Sequence, residues 1–236
     1  MNNDFMAVLN NSFSTYLKTG PRSNEKLKIL HGFIAEKIQN KLGNIYTVFS
    51  YGVGNNKESN ISGRYINKNV DIGIFKGRRP LAGIAIKFVM SNYSQNSNNY
   101  FENMLGETAN IRCEGVLYFQ IIILIQNAPY FDKKGCVKKL EKITSHNLDK
   151  YAVLSNDNSK VFIHSPDKTL LYLIESPNNT QDLLNKDKQV YKSIHNNGPN
   201  FILSRIPDNI NFNHDNIIIN NLDDFIDKIC YRIFSI

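Results

Sequence analysis

An α/β domain is predicted by two regularities of this chain: a helical spacing of apolar residues near its start, and several short apolar runs rich in β-branched residues after it. Over residues 24–42, Leu27, Leu30, Ile34, Ile38 and Leu42 fall three or four apart, which places them on one side of an α-helix. Ser23 stands where an N-cap belongs and Gly43 where such a helix ends. Residues 45–53 then read as a strand, and the Gly, Asn and Ser of 54–63 as a loop. Two further strands follow, Val70-Asp71-Ile72-Gly73-Ile74-Phe75 and Ala82-Gly83-Ile84-Ala85-Ile86-Lys87-Phe88-Val89. The Gly and Pro of Lys76-Gly77-Arg78-Arg79-Pro80 suit a hairpin turn between them. A polar segment, 91–99, leads to a second helix over 100–112, with Tyr100, Phe101, Met104, Leu105, Thr108 and Ile111 on one face. The longest apolar run, 116–125, reads as a central strand. Beyond it, helices are expected near 135–143 and 221–234, and strands near 161–163, 170–174 and 201–206.

With 236 residues, 42% of them hydrophobic, the chain is long and apolar enough for a real core. No repeat or long linker divides it. One domain is therefore expected over 1–236, with a core at 24–126 and a later part, 127–236, of unassigned role in recognition or dimerisation. No apolar run approaches the ~18 residues that span a membrane, and the N-terminus lacks the order of a secretory signal, so cytoplasmic residence is expected. Cys113, Cys136 and Cys230 are widely spaced with no CxxC pair, as reduced core residues are. The five histidines show no HxH or HExxH spacing. Gly52-Val53-Gly54 lacks the Lys and the following helix of a phosphate loop, which speaks against a nucleotide cofactor. A net charge of +7 and a pI near 9.2 favour a polyanionic partner, because each Lys or Arg that meets a phosphate releases condensed counterions.

Asp71 and Lys87 are out of place in their runs. A strand buried in a sheet is ordinarily all Val, Ile and Phe, and a charge there bears a desolvation cost unless it meets a metal, a phosphate or an opposite charge. A salt bridge between the two is the plain explanation; a site is the other. An Asp at a strand start, with a Lys at the third position of Ala85-Ile86-Lys87 on the next strand, resembles the PD-(D/E)XK nuclease superfamily. There an Asp and an acidic-X-Lys tripeptide converge on a divalent metal and the scissile phosphate. The order helix, strand, strand, strand, helix, strand over 24–126 is also that superfamily's core order. The resemblance implies a restriction endonuclease-like α/β fold, a central mixed β-sheet flanked by helices.

It further implies that Asp71 is a Mg²⁺ ligand and that Lys87 orients the attacking water and stabilises the phosphorane. Ala85 departs from the pattern by standing where the second acid belongs, and one carboxylate alone holds Mg²⁺ weakly. In one branch of type II restriction enzymes a Glu from the helix after the Lys replaces the strand acid, and here that helix offers Glu102 and Glu107. Alternatively, Ala85 marks an engineered chain or a degenerate, non-cleaving relative. On a helical wheel Asn103, Glu107 and Asn110 share one flank of the apolar face and Glu102 lies on the other, so both glutamates cannot reach one metal. Glu36, on the first helix, is a further ligand candidate, since some superfamily members add one from there. For each Glu the ordinary alternative is a solvated helix charge.

The segment Ser91-Asn92-Tyr93-Ser94-Gln95-Asn96-Ser97-Asn98-Asn99-Tyr100 gathers amides, hydroxyls and two rings directly after Lys87. Asn and Gln pair with adenine edges and hydroxyls bind phosphates, which suits a DNA-contact loop; loops of an Asn-rich chain contain such residues anyway. Lys57, Arg64, Lys68, Lys76, Arg78 and Arg79 flank the site and suit either phosphate binding or loop solvation. Taken whole, the resemblance implies a Mg²⁺-dependent type II restriction endonuclease acting as a homodimer on a specific sequence of double-stranded DNA. A non-cleaving DNA-binding relative and a structure-specific repair nuclease are the alternatives.

Overall fold

The chain opens with two packed helices, α1 (Asn2–Thr19) and α2 (Glu25–Leu42). The buried side of α2 is Leu30, Ile34, Ala35, Ile38 and Leu42, the period-3.6 stripe of its sequence, and Gly43 ends it at φ 76°. Then come β1 (Thr47–Ser50), the short pair β2 (Ser59–Ile61) and β3 (Lys68–Val70), and the hairpin of β4 (Ile72–Lys76) and β5 (Arg79–Val89). Gly77, at φ 60°, makes the two-residue hairpin turn possible. The helix α3 (Tyr93–Arg112) crosses to β6 (Leu117–Gln126), which is followed by a second hairpin, β7 (Ala128–Phe131) and β8 (Val137–Glu141), and by α4 (Ser145–Asn156). The remaining elements are β9 (Lys168–Glu175), α5 (Lys188–Ile194), β10 (Ile202–Leu203), β11 (Ile217–Ile219) and α6 (Leu222–Phe234). This computed structural model describes residues 2–20, 23–53, 57–177, 183–195 and 198–236.

The central seven-stranded sheet runs β1-β4-β5-β6-β9-β10, with β11 sharing the outer edge of β9. It is mixed: β1, β4 and β5 are antiparallel, whereas β5, β6 and β9 are parallel, with Ala85 opposite Gln120 and Gln120 opposite Thr169. Successive strand residues face opposite ways, so the apolar runs of β6 and β9 fill two layers at once. Phe119, Ile121, Ile123 and Ile125, with Leu170, Tyr172 and Ile174, pack into a core shared with α1, α2 and α6. Ile122 and Leu124, with Leu171 and Leu173, pack on the other face against α3 and α4. The later half of the chain thus supplies β9 and α6 to the central layers. Among the described residues no helix is long and apolar enough to cross a membrane.

Several elements differ from expectation. The helix expected to begin at residue 100 begins at Tyr93, so residues 93–99 are its first two turns and not a loop. The cause is tertiary. The Glu141 carboxylate, buried at 6% exposure, accepts from the Ser94 N–H and hydroxyl and gives the N-terminus of α3 an anionic cap. Asn92, in the left-handed region at φ 52°, is clasped to β7 by bonds to Phe131 in both directions. Residues 135–143 contain a strand of the second hairpin, Val137–Glu141, and not a helix; Val137 is buried while Lys138 and Lys139 face solvent. Residues 161–163 form a turn and not a strand, held by the Arg112 guanidinium on the carbonyls of Phe162, Ile163 and Ser165. Only Ile202–Leu203 of 201–206 and Thr47–Ser50 of 45–53 pair as strands. The loop expected over 54–63 contains β2; residues 54–56 lie outside those described.

Candidate functional site

One cleft, about 330 Å³, opens on the α3 face of the sheet between β3, β5, β6 and α3. Strand alternation decides which side chains line it. Ala85, Lys87 and Val89 point into it from β5, and Gln120 and Ile122 from β6, while Ile84 and Ile121 turn into the opposite core. Lys68 and Asp71 enter from β3 and the bend after it; Tyr100, Asn103 and Glu107 come from α3.

Asp71 lies at the bend between β3 and β4, one residue before the strand proper. Its Oδ2 accepts from the Ile86 N–H at 2.6 Å, which fixes the carboxylate beside the Ala85-Ile86-Lys87 segment. The Ser50 hydroxyl donates to its main-chain carbonyl at 2.7 Å. Its side chain keeps a quarter of its surface exposed, and His31 Nδ1, fully buried on α2, stands 3.8 Å from Oδ1. Burial, reinforced by the nearby Glu107 charge, pushes Asp71 up to about 6 against the opposing Ile86 hydrogen bond and the two lysines. Burial also lowers His31 to about 4, so the imidazole is neutral near pH 7 and does not offset the Asp71 charge.

Glu107 reaches the same cleft from the helix. Its Oε1 pairs with Lys68 Nζ at 2.5 Å, and Tyr118 donates to Oε2 at 3.4 Å. The Lys87 ammonium sits 4.1 Å over the Tyr100 ring, and burial of its stem lowers its pKa although Asp71 and Glu107 act in the other direction. Two carboxylates and two ammonium groups thus share one partly screened space.

Asp71, Ala85, Lys87, Lys68, Tyr100 and Glu107 are brought together. Glu102 is not: it is exposed outside the cleft, where its charge acts on Lys150. Glu36 is also out of place, because it is exposed on α2 away from the face that carries His31 and Ala35. Arg78 and Arg79 do not flank the site; they occupy the hairpin tip, ~20 Å from Ala85 at ~3.3 Å per strand residue. Lys76, at the same tip, lies over Tyr46. In the segment expected to touch DNA, Asn92 is used to clasp β7, and Tyr93 is buried with its hydroxyl on the Asn147 carbonyl. Gln95, Asn98 and Asn99 are exposed on the opening turns of α3, and the Asn98 amide oxygen accepts from Lys150. Asn96 is half-buried and bonds back to the Asn92 carbonyl. Arg64 and Lys57 are exposed near β2 and β3.

Sequence reasoning passed over Tyr118 and Gln120 in the cleft and His31 and Glu58 near Asp71. Gln120 is 3% exposed, lines the cleft opposite Ala85, and has no hydrogen-bond partner for Nε2 among the described residues. Its signal was the one that marked Asp71, a polar residue inside an apolar strand. His31 carried none, since a lone histidine on a helix face is ordinarily a core residue. Glu58, raised by burial and by the Asp71 charge, lay in the stretch taken for a loop. Among the described residues, no three His, Cys, Asp or Glu gather as a ready cation site. In comparisons with family models, with curated proteins and with solved structures, nothing matches this chain.

Proposed function

We propose that the cleft hydrolyses phosphodiester bonds of double-stranded DNA with Mg²⁺, as enzymes of the type II restriction endonuclease-like class do, with the chain working as a cytoplasmic homodimer. One observation carries this: Asp71 from a strand start, Lys87 from the next strand and Glu107 from the following helix meet in one open cleft, with Ala85 between them. Glu107 thereby supplies the acid that position 85 lacks.

The residues fit a hard divalent cation. Two carboxylates with room for water are what Mg²⁺ ordinarily uses, and Asp71, pushed up first by burial and then by the Glu107 charge, is a desolvated carboxylate whose ionised form a cation would stabilise. Asp71 and Glu107 would hold it, with Lys68 giving up its place on Glu107. A bound Mg²⁺ would stabilise charge on the attacked phosphate and lower the pKa of its water. Lys87, on the same sheet face, donates to the attacking water or to a phosphate oxygen as charge grows there. Tyr100 under the ammonium limits its orientations.

The experiment is plasmid cleavage by the wild type and Asp71→Asn in Mg²⁺ or Mn²⁺. Cleavage that vanishes in Asp71→Asn, with the fold unchanged, is the expected result; cleavage that survives it defeats the assignment. A non-cleaving DNA-binding role has its own observation, the Lys68–Glu107 pair, which already neutralises the second acid. Under that reading the wild type binds duplex without cutting, and Ala85→Glu, which places a carboxylate beside Lys87, creates cleavage.

A further inference from the structure

Between β2 and β3 the chain turns through residues 62–67, and the turn ends in large side chains that nothing covers. Tyr65 is 85% exposed and Ile66 64%, with Arg64 exposed beside them. The turn is nonetheless held firmly. Asn110, 8% exposed near the end of α3, accepts on Oδ1 from the Tyr65 and Ile66 N–H groups at 2.9 and 3.3 Å. Its Nδ2 donates to the Ile66 carbonyl at 2.8 Å, and its own carbonyl accepts from the Arg64 N–H at 2.8 Å. Only glycine fits at position 63, where an added Cβ would lie 2.0 Å from Asn110 Nδ2. The turn runs directly into Lys68, which lines the cleft and pairs with Glu107, one helical turn before Asn110. A rigid, projecting tip therefore stands beside the cleft. From Ser59 to Val70 it carries Arg64 and Lys68, exposed Asn60, Asn67 and Asn69, and no acidic residue.

We propose that this turn is a groove-entering wedge for duplex nucleic acid, with Tyr65 and Ile66 pressed against or between base pairs and Arg64 on the adjacent backbone; this rests on the duplex-DNA reading of the cleft. Exposed apolar side chains on a soluble surface are stabilised when they enter a base step, and the unstacking they impose is offset by the contacts that the bend brings. Within the turn itself, residues 62–67, Arg64 is the charged side chain and there is no carboxylate, which favours a polyanion over a basic or neutral surface. The clasp by Asn110 means that little chain entropy remains to be lost on binding. Lys68, continuous with the turn, leads the phosphate backbone from the wedge toward Asp71 and Lys87.

The full chain, held in Ca²⁺ to suppress cleavage, is titrated with a short labelled duplex containing 2-aminopurine. Binding is read by anisotropy and unstacking by the rise in 2-aminopurine fluorescence. Combining Tyr65→Ala with Ile66→Ala should weaken duplex binding about tenfold and abolish the fluorescence rise, with an unchanged slope of log affinity against log salt. Arg64→Ala should instead reduce that slope by about one. Both apolar residues are exposed, so an unchanged melting temperature serves as the folding control. Equal affinity and an undiminished fluorescence rise in the double variant would overturn the wedge while leaving duplex binding by the cleft in place. A wild type that binds no duplex, or prefers single strands, overturns the wedge together with the reading on which it rests.

Discussion

The two faces of the central sheet are made from the same strands, yet one is a closed core and the other opens into a cleft. On the first face Ile84, Phe119, Ile121, Ile123 and Tyr172 are fully buried beneath α1, α2 and α6. On the second, Ile122, Leu124 and Leu173 are packed near α4, but Gln120 of β6 and Ala85 and Lys87 of the neighbouring β5 replace them beside Glu107 of α3. One residue of register separates the sides. The difference lies in what the strand can lose: an apolar face gains stability from every buried atom, whereas the cleft face holds charges and an amide whose Nε2 has no partner among the described residues, which reduce stability.

The largest effects should come from the charges of the open face. Lys87→Ala and Glu107→Gln should each lower Mg²⁺-dependent cleavage by about two orders of magnitude or more, as loss of a group stabilising transition-state charge does. Glu102→Gln, outside the cleft, should leave the rate within about twofold. Equal losses from the two glutamate variants, measured as initial plasmid-nicking rates, would remove Glu107 from its assigned place.

Stability should respond in the opposite order. Ile123→Ala, in the closed core, should cost about 2–5 kcal/mol and lower the melting temperature by about 5–15 °C. Gln120→Leu, on the same strand but facing the cleft, should leave the melting temperature unchanged or raise it by a few degrees, because it removes a buried amide whose Nε2 has no partner among the described residues. A destabilised Gln120→Leu would mean that the amide is satisfied in solution and that the two faces are alike.

The smallest effect is electrostatic. With its folded-state pKa at about 6, above the ordinary 3.8, Asp71 keeps its proton in the folded chain after the unfolded chain has released it. It therefore reduces stability progressively from about pH 4 to 6 and fully above that. Asp71→Asn, neutral throughout, should melt several degrees above the wild type at pH 8, with the gap closing toward pH 4. Scanning fluorimetry at pH 4, 6 and 8 in the absence of divalent ions checks this, and a gap that does not change with pH contradicts the raised carboxylate pKa.

Local periodicity by itself determined α2, the β4–β5 hairpin, β6, the core of β9 and α6, because their apolar residues repeat at 3.6 or run unbroken through a sheet. It also marked Asp71 and Lys87, whose charges conflict with their surroundings wherever the strands end up. Strand alternation was enough to place Ala85 on the face of Lys87. Only the tertiary structure put Glu107, and not Glu102, into the cleft, since both flank the apolar stripe of α3 and the outcome depends on which flank the sheet lies under. It likewise extended α3 back to Tyr93, because the cap comes from Glu141, 47 residues away, and turned Val137–Glu141 into a strand by pairing it with β7. Contacts between residues distant along the chain leave no period to read, so His31 and the Asn110 clasp became visible only when the chain had closed around them.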